Sequence, residues 1–327
     1  MNGPKCNEID YINFLIATPK VYSCTEAARV QPEKSSLPAH DAFTRLLERL
    51  EPSSEELWQE SQEQIERQSG LLVLDDSTLD KPYARKIELV SRHWSGKHKE
   101  VVSGINLITL LWSDGDRHVP CDYRLFDKAK DQLTKNDHFQ AMLKIAKERG
   151  LAPRCVVFDS WYSSTANLKL IDSLQWIWLT RLKENRLVNP DRTGNRAIKE
   201  ITIDESGSLV HLKEYGMIKV FKIVARDGDI EYWATNDFEM SELKRIKYAN
   251  EAWTIENFHR GIKQFSGIER CQARSRTAQR NHIGLALRAF LRLEVHSYKT
   301  GISWFEAKNS IIRAAVRSYL DNPLFTL

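Results

Sequence analysis

Three carboxylates in this sequence, Asp76, Asp159 and Glu256, have the type and setting to do chemistry. Brought together by a fold they would repel one another unless cations lay between them, and hard oxygen ligands suit Mg²⁺ or Mn²⁺. Two such ions about 4 Å apart can deprotonate a water or a 3′-hydroxyl and stabilise the leaving oxygen of an in-line phosphoryl displacement. On this reading Asp76 bridges the ions, while Asp159 and Glu256 each complete one coordination shell. Lys263, two helical turns beyond Glu256, would then meet a phosphate of the bound strand.

The positioning elements can be read from pattern. Asp76 closes the apolar run Leu71-Leu-Val-Leu74, and Asp159 closes Cys155-Val-Val-Phe158. Both runs are short, rich in β-branched or aromatic residues, and bounded by Gly70 and Ser77 or by Pro153 and Ser160, so buried strands are predicted. Strand ends are the usual place for sites in open sheets. Glu251 to Lys263 is predicted as one helix. At about 100° per residue, Ile255, Phe258, Ile262 and Phe265 share one side, and Glu256, Arg260 and Lys263 share another, with Trp253 on the turn before. Glu256 and Arg260 also have the i,i+4 spacing of an ordinary solvated helix, which leaves the bland alternative open.

At 327 residues the chain can bury a sizeable core and carry more than one domain. Its 42% hydrophobic and 28% charged residues are those of a soluble globular protein. No apolar run reaches the roughly 18 residues of a membrane span and Met1 to Asp10 lacks the parts of a signal peptide, so a cytoplasmic protein is expected. Cys6, Cys24, Cys121, Cys155 and Cys271 are scattered without a C-x-x-C, which argues for reduced cysteines and against zinc. The net charge of +4 is mild, but its distribution is uneven. Residues 1 to 70 are acidic. Lys244 to Lys299 is basic, with Arg260, Lys263, Arg270, Arg274, Arg276, Arg280, Arg288 and Arg292. Such a concentration suggests a polyanionic partner, although a solvated basic helix would look the same.

In chain order, residues 1–69 read as a helical N-terminal domain. Thr25 to Arg29 starts one helix and Leu37 to Leu50 forms another; Ser53 and Glu56 would cap a third running through Leu57 and Ile65. Two short helices with His40, Asp41, Thr44, Arg45 and Arg49 on a polar side are compatible with a helix-turn-helix, and equally with a plain helical cap. Residues 70–183 turn to strands: Leu71 to Asp76, Val101 to Trp112 and His118 to Phe126, then a helix from Thr134 to Arg149, the Asp159 strand, a helix near Ala166 to Leu174, and Trp176 to Thr180. This order matches a ribonuclease-H-like α/β fold, a mixed sheet flanked by helices. The loop before the second strand carries Lys81, Arg85, Lys86, Arg92, His93, Lys97, His98 and Lys99, which suit phosphate contacts. Residues 184–235 alternate like short strands, Ile201 to Ile203 among them, and read as a β-rich insertion. Residues 236–327 complete the core with the Glu256 helix and further C-terminal helices.

The motifs resemble those of bacterial insertion-sequence DDE transposases, in the superfamily marked Tyr-x2-Arg-x3-Glu-x6-Lys. Leu74-Asp-Asp-Ser-Thr78 is similar to the first motif, Val157-Phe-Asp-Ser-Trp-Tyr162 to the second, and Trp253-x-Ile255-Glu256-x-Phe258-His259-Arg260-x2-Lys263 to the third. The similarity runs from about Leu71 to Ala289. Ala249 and Ala252 stand where the family has its Tyr and Arg, and Tyr248 is one position off. The resemblance implies catalytic and metal-binding roles for Asp76, Asp159 and Glu256, two Mg²⁺ or Mn²⁺ ions, and DNA contacts from Lys263, Arg260, His259 and Trp253; the charge distribution adds Lys97, Lys99, Arg274 and Arg276 to the expected DNA contacts. It also implies a base flipped against an aromatic of the insertion, Trp233 or Tyr232, although core packing explains either ring.

The activity expected from this resemblance is cleavage of double-stranded DNA at the terminal inverted repeats of an element, followed by strand transfer to target DNA by a homodimer. Two rivals are a non-transposing nuclease of the same fold, separated by the absence of inverted repeats around the gene, and a DNA-binding regulator derived from a transposase, separated by the absence of cleavage.

Overall fold

The computed structural model describes residues 3–32, 37–95, 100–127, 130–224 and 228–323, with backbone only at 94 and 95. Lys97, His98 and Lys99 of the expected basic loop lie outside the described residues. In chain order the elements are α1 (Glu8–Ala17), α2 (Cys24–Arg29), α3 (His40–Arg49), α4 (Glu55–Ser61), β1 (Leu71–Asp80), β2 (Ser91–Ser95), β3 (Glu100–Ser113), β4 (His118–Phe126), α5 (Lys135–Glu148), β5 (Cys155–Phe158), α6 (Thr165–Ser173) and β6 (Trp178–Leu182). There follow β7 (Leu187–Asn189), β8 (Arg196–Ala197), β9 (Ser208–Leu212), β10 (Gly216–Val224), β11 (Ile230–Thr235), α7 (Glu242–Ala252), α8 (Thr254–Phe265), α9 (Arg276–Thr300) and α10 (Trp304–Asp321). The chain divides into a helical unit, Met1–Gln64, Ser77–Leu107 and Glu256–Leu327, and a sheet unit, Ile65–Asp76 and Ile108–Ile255. No helix among the described residues is long and apolar enough to cross a membrane.

The sheet unit is a mixed sheet in the order β4, β3, β1, β5, β6, β11, β10, β9, β7, β8. The first five of these strands form the ribonuclease-H-like core. β1 and β5 are parallel, with Leu71 opposite Cys155 and Leu74 opposite Phe158, and β6 continues the parallel set beside β5. Where β1 and β5 pair they are apolar because both faces are covered: Leu71, Leu72, Leu74, Cys155 and Val156 are fully buried, as is Leu179 beside them. Phe139, Met142 and Leu143 form the buried side of α5, whose start is fixed by reciprocal bonds between Thr134 and Asp137. Gly150, at φ 78°, supplies the left-handed residue that ends it.

β11 pairs antiparallel with β6, and β10 and β9 extend the same sheet. The strand expected at Ile201 to Ile203 does not form; Ile201 is buried after a 3₁₀ turn at Ile198–Glu200, and the extra pairing comes from the short β7 and β8. Sequence alternation there was weak because a three-residue strand shows scarcely one period.

In the helical unit, α1, α3, α4 and α10 pack on α9. Asn281 of α9 donates to the carbonyls of Leu47 and Leu50 at 2.7 and 2.9 Å, satisfying the open end of α3. Arg288 and Arg292, expected to serve a polyanionic partner, are engaged internally. Arg288 pairs with Glu8 and with Glu60 at 2.8 Å, and Arg292 with Glu60 at 2.7 Å. Burial alone would raise the Glu60 carboxyl, but the two guanidiniums outweigh it and hold it below its usual value. The acidic α4 and the basic α9 therefore neutralise part of each other's charge.

Three further expectations change. α4 begins after Ser54 without a side-chain cap, Ser53 instead accepting from the Glu55 N–H at 2.9 Å, and it ends at Ser61, short of Ile65. The basic loop contains β2, paired antiparallel with the start of β3, and its Lys81 is buried. The Lys81 ammonium donates to the carbonyls of Glu269 and Cys271 at 2.7 and 2.6 Å, which removes it from the surface phosphate set. Finally, Glu251 to Lys263 is two helices, because the Trp253 N–H closes α7 on Ala249 O and the Thr254 hydroxyl then binds Glu251 O at 2.6 Å.

Candidate active site

β1 carries the first acid. It runs four residues past Asp76, to Asp80, because Leu79 returns to the core. In the sheet unit the Asp76 carboxylate accepts from Lys135 Nζ at 2.8 Å on Oδ2 and from the Tyr162 hydroxyl at 2.8 Å on Oδ1. Lys135 is the first residue of α5. The Tyr162 ring stacks on Phe139 at 5.2 Å, so the packing of α5 aims both donors. Burial and the Asp76 charge push the Tyr162 phenol far above its ordinary range, so it is a donor at any working pH.

Asp159 follows the last residue of β5. Its Oδ1 accepts from the Trp161 N–H at 2.7 Å, capping the short turn Ser160–Tyr162. Parallel neighbours bring Leu74 level with Phe158, so Asp76 and Asp159 leave the same end of adjacent strands. Burial raises the Asp159 carboxyl above its usual value, and the Asp76 charge adds to the rise. Two carboxylates that repel in a half-buried place form an oxygen donor set whose charge a divalent cation would relieve. The residues present therefore fit such an ion. Among the described residues no group of three or more His, Cys, Asp and Glu side chains is arranged to hold one.

Glu256 belongs to the helical unit. It is exposed in the first turn of α8, where an acid is favoured by the helix dipole. Glu256 and Arg260 do not form the i,i+4 ion pair of a solvated helix. The apolar side of α8 is as expected: Phe258 and Ile262 are fully buried, with Phe258 against Phe290 at 5.5 Å. Gly261 permits this contact, since a Cβ there would lie 2.6 Å from the Phe290 ring.

His259, Arg260 and Lys263 of α8 line a cavity of about 950 Å³ in the helical unit, together with Lys20, Glu269 and Arg270. Lys263 donates to the carbonyl of Thr78 at 2.6 Å and pairs with Glu269 at 3.1 Å. His259 is 7% exposed, whereas Arg260, Arg270 and Lys20 are exposed. Arg274 is exposed before α9, and Arg276 begins that helix, its N–H bonded to Glu88 at 3.1 Å. Trp253 is 60% exposed between α7 and α8. Lys97 and Lys99 lie outside the described residues.

Sequence reasoning missed Lys135 and Lys20 as site groups, and placed Arg270 only within the basic stretch. Lys135 gave no signal because a lysine beside a helix cap reads as solvated, while Tyr162 was visible only as part of the second motif. The surroundings of the departed family Tyr and Arg are also visible here. Tyr248 is buried, with the Arg154 guanidinium 5.8 Å from its ring centre and Arg154 paired with Glu251 at 3.3 Å. In β11 Tyr232 is buried, and Trp233 donates to Glu231 at 2.8 Å beside the guanidiniums of Arg181 and Arg245.

The family described as "Transposase DDE domain" matches residues 66–292. No curated protein matches the sequence. Among solved structures the chain is similar to the cryo-EM structure of a piggyBac transposase synaptic complex with hairpin DNA, with a TM-score of 0.51 and 12% identity over 100% of this chain and 76% of that one.

Proposed function

Because the chain belongs to the DDE transposase family, matched over residues 66–292, a family of DNA-cleaving enzymes, we propose that it is the transposase of a bacterial insertion sequence. It cuts double-stranded DNA at the terminal inverted repeats of its element and joins the freed 3′-hydroxyl to a target strand. The observation that carries this reading is the meeting of Asp76 and Asp159 at the ends of adjacent parallel strands, close enough for one charge to raise the other's pKa.

Asp76, Asp159 and Glu256 are the residues that would hold two Mg²⁺ or Mn²⁺ ions. When bound, such ions activate the attacking oxygen and stabilise the leaving one. Tyr162 and Lys135 orient the Asp76 carboxylate and temper its charge before loading. Arg260, Lys263, His259, Trp253, Arg274 and Arg276, with Lys97 and Lys99, contact DNA; Lys263 keeps a donor for phosphate beyond its bonds to Thr78 and Glu269. The similar piggyBac transposase structure contains hairpin DNA, which supports DNA as the partner.

The division of labour proposed is a helical N-terminal domain at 1–69, a catalytic core at 70–183 and 236–327, and a β-rich insertion at 184–235. The enzyme works in the cytosol as a homodimer on its DNA. The test is cleavage of DNA carrying the element's own ends by purified protein with Mg²⁺. Asp76→Asn and Asp159→Asn should abolish cutting; cutting unchanged in either variant would refute the site.

A further inference from the structure

The sheet unit holds a second open cleft, of about 420 Å³, that the proposed cleavage and joining leave unused. Trp161 lines it and is 59% exposed. A single exposed indole is ordinary; its company here is not. Lys183 Nζ lies 5.8 Å from the indole centre, and Lys135 Nζ is also 5.8 Å from it. Arg186 and Lys213 line the same cleft. Arg186 is half-buried and donates to the Thr165 hydroxyl at 3.1 Å, with no carboxylate within ion-pair distance among the described residues. Burial holds its pKa below the usual value, opposed only by the more distant charge of Glu214. A planar guanidinium with five donors and one neutral partner is prepared for an anion.

An aromatic face with cations along one groove is what unpaired nucleic acid requires, since the base stacks while the phosphates meet the cations. A duplex hides its base faces within the stack, and a cleft of this volume suits one small ligand. The Trp161 backbone N–H is bonded to Asp159 Oδ1 at 2.7 Å, so the residue that carries the indole is anchored two positions after the proposed catalytic acid. We propose that this cleft takes an unpaired nucleotide of the DNA substrate, its base on Trp161 and its phosphate on Arg186 and Lys183. The proposal rests on the transposase reading and adds a place for a single-stranded portion of the cut or opened DNA end beside Asp159. The indole is neither of the two aromatics of β11, Tyr232 and Trp233, although Arg186 and Lys213 of the cleft come from the proposed insertion.

The test is binding by the full chain in EDTA, read as fluorescence anisotropy of a labelled blunt duplex and of the same duplex with a short single-stranded overhang. The wild type should bind the overhang form about tenfold more tightly, from stacking of one base. Trp161→Ala should remove that preference and leave blunt-duplex affinity unchanged, Trp161→Phe should keep most of it, and Lys183→Ala should weaken it. An overhang preference retained by Trp161→Ala, or absent from the wild type, overturns the proposal. Loss of the preference in Trp161→Ala without Asp76-dependent cutting would keep the cleft and remove the transposase reading; Asp76-dependent cutting with an unaltered preference would do the reverse.

Discussion

Both oxygens of the Asp76 carboxylate accept hydrogen bonds, one from the Lys135 ammonium and one from the Tyr162 hydroxyl. The ammonium offsets charge that would otherwise face Asp159, so it stands in for part of what a cation would do. Replacing Lys135 by Met should therefore lower stability in EDTA by about 1–3 kcal/mol, the usual cost of removing a charged partner from a half-buried group. The same change should enlarge the rise in melting temperature produced by Mg²⁺, since a competitor for the carboxylate has gone. Thermal melting with and without Mg²⁺ checks both, and an unchanged Mg²⁺ effect would show that Lys135 does not share the ion's place.

Among the elements, α8 is the one whose placement bears most on function, and its fit depends on a missing side chain. Gly261→Ala would press a methyl onto Phe290 at 2.6 Å and Trp304 at 3.0 Å. Overpacking of this kind costs about 1–3 kcal/mol, which denaturant unfolding can measure, and it should also weaken DNA binding through Arg260 and Lys263. α9 contributes a pH dependence. His282 is fully buried between the Tyr11 hydroxyl at 3.0 Å and Gly267 O at 3.2 Å, and burial, helped by the Lys81 charge, pushes its pKa down from 6.5 to about 3. The unfolded chain takes up a proton below pH 6.5 that the folded one refuses, so this contribution is complete above pH 6.5 and is lost as pH falls toward about 3. Melting temperature should decline on acidification through that window, and the slope should be shallower in His282→Gln. Glu60 links α4 to α9 through Arg288 and Arg292. Glu60→Ala should cost about 3 kcal/mol, because it strands the Arg292 guanidinium and leaves Arg288 with Glu8 alone, and chemical denaturation would reveal a smaller effect if solvent screens them.

At the scale of the whole molecule, a net charge of +4 understates the cation density available to DNA. Lys20, Arg260 and Arg270 share one cavity and have no ion pair among the described residues. Duplex affinity should fall steeply with salt, and changing all three to Ser should flatten the log–log slope by about 2–3, near 0.9 for each phosphate that is no longer neutralised; an unaltered slope would place the DNA elsewhere. The succession of core strands along the chain was legible in the sequence because buried strands are written as local apolar runs, and Asp76 and Asp159 stood out as acids at the ends of such runs. The helical side of Phe258 and Ile262 was legible for the same reason, periodicity being local. The break at Trp253 was hidden, since the apolar stripe continues across it. So was the destination of the charges. Arg288, Arg292 and Lys81 look like surface cations in a linear reading, and only the fold sets them against Glu8, Glu60 and two buried carbonyls. Lys135 and the cleft around Trp161 depend on residues from separate elements. Their partners are chosen by packing across long sequence separations, which local pattern does not encode.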